Sequence, residues 1–163
     1  MVSDECINLV ELKEKYKIFK KKYNLPEFSE LNKLFDIEDI DVETDFLLRK
    51  IRRIISDRIA AYLRFIEIIL NPSNAPMFFF KLIKKLDNTD KEVLTELHEI
   101  LGNFEIEIIS LDLDYNEEKE ALFINKTVEM FNNEIRTKLL KTADKMSNGV
   151  NAKNLKDSQS YFG

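Results

Sequence analysis

Chemistry in this chain has few places to begin. His98 is the only histidine among 163 residues. His98-Glu99 opens like a helical zinc motif, in which two histidines one turn apart hold the metal and the glutamate acts as base. Gly102 stands where the second histidine belongs, so the motif fails. A zinc site would have to borrow carboxylates or Cys6, far away in the sequence. Asp112-x-Asp114-x-Asn116 begins like a calcium loop, but Glu117 replaces the glycine of the sharp turn and Phe123 replaces the closing bidentate glutamate. It reads as a polar turn that delivers a helix N-cap. The chain has no glycine-rich phosphate loop, no G-x-S-x-G and no C-x-x-C. Its carboxylates are scattered over helical faces and identify no acid–base pair. The expectation is a protein that is not an enzyme and holds neither cofactor nor metal.

Three constellations suit binding instead. Arg49, Lys50, Arg52 and Arg53 form the densest basic cluster, and positions 49, 53 and 64 can lie along one outward strip able to track phosphates. No aromatic side chain interleaves with it as a stacking platform, and Asp45, Asp57 and Glu67 dilute it. A solvated face with helical ion pairs is the simpler reading. Nucleic-acid binding is the alternative. Arg58 projects at about 20° on a wheel that places Leu47 and Phe65 at its origin, inside the apolar stripe. It is expected to be a buried charge that snorkels or makes one structural ion pair inside the bundle, with an arginine facing an anion or partner carboxylate in a groove as the sharper reading. Met77, Phe78, Phe79 and Phe80 spread round most of a helical circumference, so one neighbour cannot easily cover all four. They lie between two layers of a bundle or form an exposed contact patch for a protein partner or a second copy. Lys81, Lys84 and Lys85 beside them also suit a membrane surface, a weaker reading for an acidic protein.

The elements that position these residues are helices. Three glycines and three prolines leave little material for the turns of a many-stranded protein. The strongest helical period runs over about 43–70. There Leu47, Leu48, Ile51, Ile54, Ile55, Ile59, Tyr62, Phe65, Ile66 and Ile69 share a broad face, opposite Arg49, Arg53, Ser56, Ala60, Arg64 and Glu67. Burying each such Ile or Leu stabilises by roughly 1.5–3 kcal/mol, which makes this the central helix of a core. Before it, a helix from Asn8 to Tyr23 carries Leu9, Leu12, Tyr16, Phe19 and Tyr23 along a narrow seam, and Pro26 breaks it. A short helix capped by Ser29 turns Leu31, Leu34 and Phe35 inward. After it, Asn71-Pro72 makes a stop, and Met77–Leu86 a helix of about three turns. Thr89-x-x-Glu92 is a capping box for a fifth helix that Gly102-Asn103 interrupts. Phe104–Leu113 is ambiguous, but no second strand exists to pair with it, so it is expected to be helical. The last helix starts at Asn116, sets Ala121, Ile124, Val128, Phe131, Ile135 and Leu139 along a bundle seam, and stops at Asn148-Gly149.

The predicted fold is therefore an all-α, single-domain bundle of five or six helices, spanning 1–147, with a polar tail over 148–163 that is ordered only if Tyr161 and Phe162 dock. A net charge of −5 argues against a surface built wholly for nucleic acid. One cysteine permits no internal disulfide and fits a reducing compartment. The N-terminus lacks the basic and apolar regions of a signal peptide, and no apolar run reaches the ~18–20 residues that span a bilayer. The expected location is cytoplasmic. The leading functional expectation is a non-catalytic interaction protein working through Met77–Phe80 or an exposed helical seam, self-association included.

Overall fold

The computed structural model describes the backbone over residues 4–42 and 45–157, and side chains over 8–148 apart from 43, 44 and 74. The side chain of Cys6, the Glu43–Thr44 start expected for the central helix and the docking of Tyr161 and Phe162 lie outside the described residues. The architecture is all-α, with no strand among the described residues: α1 (Asp4–Tyr23), α2 (Phe28–Phe35), α3 (Leu47–Leu70), α4 (Met77–Ile83), α5 (Asn88–Leu113), α6 (Glu117–Met130) and α7 (Arg136–Asp157). A π-helical stretch, Phe131–Ile135, joins α6 to α7, so the two read as one interrupted helix and the described helices number six, within the expected five or six. The long helix α3 is the centre of the bundle. No described helix is long and apolar enough to cross a membrane.

Two compact units divide the chain. One takes the chain through Ala61 together with Asn103–Asn132. Its core holds Leu12 and Tyr16 of α1, Leu31 and Phe35 of α2, and Leu47, Leu48, Ile51, Ile55 and Ile59 of α3. Phe104, Ile108 and Leu111 of α5 and Ala121, Phe123, Ile124 and Val128 of α6 complete it. The Tyr16 hydroxyl donates to the Pro26 carbonyl at 2.7 Å, which ties α1 to the turn that ends it. Burial, reinforced by Glu27 and Glu30, pushes that phenol well above its ordinary range. Phe35 meets Phe131 edge-on at 5.1 Å, and Phe104 meets Phe123 at 5.7 Å. Asn24 and Asp36 take the left-handed conformation after α1 and α2, a region that Asn and Asp tolerate better than most residues.

The second unit takes Tyr62–Gly102 and the chain from Asn133 on. Ile66 and Ile69 of α3, Ile83 and Leu86 around the end of α4, Leu94, Leu97 and Leu101 of α5, and Ile135, Thr142 and Met146 form its interior. Lys85 donates to the Met146 carbonyl at 2.8 Å, and Lys145 reaches Asp90 at 2.6 Å.

Several local expectations change. Ser29 does not cap α2; Glu27 occupies the N-cap without a side-chain bond, and Ser29 lies inside the helix, exposed. The capping box of α5 is built by Asp87 and Asp90 rather than Thr89 and Glu92, each backbone N–H donating to the other's carboxylate at 2.9 Å. Gly102-Asn103 does not interrupt α5, and α7 runs through Asn148-Gly149 to Asp157. No described glycine has positive φ, so neither acts as the left-handed stop that a glycine offers. The Met77 helix is shorter than expected: it closes at Ile83, with Lys84 and Lys85 in a turn.

Candidate functional site

The basic cluster on α3 is taken apart by its surroundings. Arg52 is the buried cation among the described residues, 1% exposed, and it faces Glu120 of α6, which is fully buried. Its Nε donates to Glu120 Oε2 at 2.9 Å and one terminal nitrogen donates to Asp112 Oδ1 at 2.7 Å and to Glu120 Oε1 at 3.3 Å. Burial opposes the charge, but the bonds from Glu120 and Asp112 outweigh it and hold the guanidinium above its ordinary range. Arg49 donates to the Asp112 carbonyl at 3.1 Å and lies over the Tyr115 ring at 5.3 Å, while its buried Nε has no hydrogen-bond partner. Tyr115 in turn meets Phe46 edge-on at 4.9 Å.

Lys50 and Arg53 are exposed and line an open depression of about 320 Å³ with Asp39, Ile40, Asp41, Ile54 and Asp57. Three carboxylates thus interleave with two cations there. The four residues of the cluster do not make one cationic strip: two hold the end of α5, and two share their surroundings with acids.

Arg58 corrects the sequence reading directly, because it is exposed. The buried face of α3 is centred between the two arginines, which stand about 60° to either side of it on the wheel. Glu120 and Asp112 lie on the Arg52 side, and a guanidinium leaves water only where carboxylates replace the lost hydration.

His98 is partly exposed, its Nε2 3.4 Å from Glu67 Oε1, at an open depression of about 560 Å³ lined also by Arg64, Asn71 and Ala75. One imidazole beside one exposed carboxylate is a surface contact, worth little. Among the described residues no three His, Cys, Asp or Glu side chains converge as metal ligands.

The α4 face is different in kind. Met77 is 89% exposed, Phe78 60% and Phe80 39%, whereas Phe79 is half-buried and Ile83 is buried. Phe78 and Phe79 lean on each other with ring centroids 4.5 Å apart. On the helical wheel Met77, Lys81 and Lys84 share the outer direction, with Phe78 and Phe80 on its flanks, so the apolar and cationic side chains point to the same side. In the same unit Lys138 pairs with Glu96 and Glu134, and Lys145 with Asp87 and Asp90, whereas exposed Lys91 and Lys141 make no ion pair among the described residues. Lys81 and Lys84 have no carboxylate within ion-pair distance among the described residues. The run of four apolar residues after Pro76 was the signal in the sequence; their exposure was not readable there.

No known family model, curated protein or solved structure matches the chain.

Proposed function

We propose that this chain is a non-catalytic interaction protein whose contact face is α4. One observation carries the reading: Met77, Phe78 and Phe80 stand in water on a helix that a neighbouring core could have covered. Soluble surfaces do not usually cluster large apolar side chains in this way unless something docks there. Aromatic residues and methionine are enriched at the buried centres of interfaces, with polar groups at the rim, and Lys81 and Lys84 supply that polar element here. A nucleic-acid role through Arg49, Lys50, Arg52 and Arg53 has less support, since Arg52 is buried against Glu120 and Arg49 is engaged with Asp112 and Tyr115.

A photo-crosslinking residue placed at Met77 or Phe78, with a control at exposed Arg58, tests the face in living cells. Discrete protein adducts are expected at the two α4 positions, absent at Arg58 and lost on adding Phe80→Asp. Phe78→Ser is also expected to leave the melting temperature of the isolated protein unchanged. A marked fall in that temperature, or adducts equal to those of the control, would defeat the reading.

A further inference from the structure

Charge is segregated along this chain in a way that pairs two of its surfaces. Between Glu67 and Asp87 there is no acidic residue, and α4 with Lys81 and the turn after it with Lys84 and Lys85 lie inside that interval. Between Lys91 and Lys119 there is no lysine or arginine, and nearly all of α5 lies inside that one. The C-terminal part of α5 carries a second exposed apolar row. Leu113 is 84% exposed, and Ile106 and Ile109 are each more than half exposed. These positions have the i, i+3, i+7 spacing of one helical stripe, the spacing that Met77 and Phe80 of α4 and its C-cap Lys84 repeat. Both rows rise about 10 Å along their helix axes.

The charges beside the α5 row are acidic. Glu107 is bound by Lys126 at 2.7 Å, Asp112 by Arg52 at 2.7 Å and Asp114 by Lys119 at 3.6 Å. Glu105, one turn before Ile109, has no cation within ion-pair distance among the described residues. Burial pushes its carboxyl above the ordinary range.

Resting on the α4 reading above, we infer that the partner is a second copy of this chain, α4 of one copy seating Met77, Phe78 and Phe80 against Ile106, Ile109 and Leu113 of α5 in the other. Lys81 and Lys84 then stand where a lysine ammonium can donate to Glu105 of the other copy. The alternative self-pairing, α4 on α4, would face lysines with lysines and leave the α5 row in water. The contact is heterologous: the two surfaces that meet are different, which distinguishes it from the self-complementary patch of an isologous dimer.

That difference gives the test. The full-length chain is followed by sedimentation velocity over a wide concentration range, as wild type, as an α4 variant (Phe78→Asp with Lys84→Glu) and as an α5 variant (Ile109→Lys with Leu113→Lys). All four positions are exposed or nearly so, and Met77→Ser and Leu113→Ser serve as milder substitutes if either pair disturbs folding. The wild type is expected to self-associate, and each variant alone to associate at least about tenfold more weakly, as truncation of interface anchors does. An equal mixture of the two variants is expected to associate again, since the sound α4 of one meets the sound α5 of the other. Association of the wild type without rescue in the mixture, or association of both variants alone, would overturn this pairing. A wild type that stays monomeric throughout would overturn it too, and with an unchanged melting temperature for Phe78→Ser the α4 face would still stand as a contact site for another protein. A melting temperature lowered by Phe78→Ser would remove both.

Discussion

Arg52 and Glu120 are out of water together, and that fixes what each does alone. Replacing Arg52 by Met leaves the fully buried Glu120 carboxylate without its cation, so unfolding free energy is expected to fall by about 3–5 kcal/mol. Adding Glu120→Leu removes the orphaned charge, and the double variant is expected to recover most of the loss in denaturant titration. If the double variant is no more stable than Arg52→Met, the pair contributes through packing and not through charge. Arg58→Ala, on the exposed side of the same helix, should stay within about 0.5 kcal/mol of wild type. The sequence placed a buried guanidinium on α3 but at the wrong residue. Wheel geometry sets both arginines at the margins of one stripe, and the choice is made by carboxylates 60 and 68 residues further along, which no local pattern reveals. The aromatic run at Met77–Phe80 was legible as an oddity for a related reason: four large apolar residues in a row cannot satisfy one helical face, whatever the tertiary structure.

Helices themselves were largely legible, because periodicity is a local property. The seam from Ala121 to Ile135 is buried as its spacing implies, and Asn116 caps α6 by accepting from the Lys119 N–H at 2.9 Å. Ends were less so, since several residues in each loop can cap and tertiary contacts choose among them. At α5 the choice fell on Asp87, whose carboxylate is held by the Asp90 N–H and by Lys145. These bonds keep its folded-state pKa below the ordinary carboxylate value, with the Asp90 backbone bond the largest cause. A depressed folded value means the stabilisation is complete above the unfolded pKa and is lost as pH falls through the folded one. Asp87→Asn keeps a capping oxygen but no titrating charge, so its stability is expected to fall less between neutral pH and strong acid. Parallel acid limbs in thermal unfolding would contradict this. Gly102 is the other local misreading: it sits in helical conformation inside α5, and a β-carbon there would meet nothing within 4 Å. Gly102→Ala is expected to stabilise the protein by about 0.5–1 kcal/mol, through the lower backbone entropy of the unfolded chain.

At the scale of the whole molecule the net charge of −5 repels one copy from another, yet the proposed contact sets opposite charges face to face, and salt separates the two effects. At 0.1 M ionic strength the Debye length is about 10 Å, so repulsion between charges spread over two surfaces is already largely screened. Further salt then acts mainly on close pairs such as lysine against Glu105. Exposed pairs of that kind contribute about 0.2–1 kcal/mol each, so raising salt from 0.1 to 1 M is expected to weaken association by roughly two- to fivefold. It should not abolish it, because burial of Met77, Phe78, Ile109 and Leu113 supplies most of the attraction and is not screened by salt. Pairing of α4 with α4 has the opposite sign: lysines would face lysines, and screening would strengthen it. Binding through Arg49, Lys50 and Arg53 to polyanions would instead fall by orders of magnitude over the same interval, since each neutralised phosphate releases counterions. A shallow decline of the association constant with salt, measured by sedimentation on the full chain, is therefore the outcome that α4-on-α5 pairing requires, and a rise would exclude it.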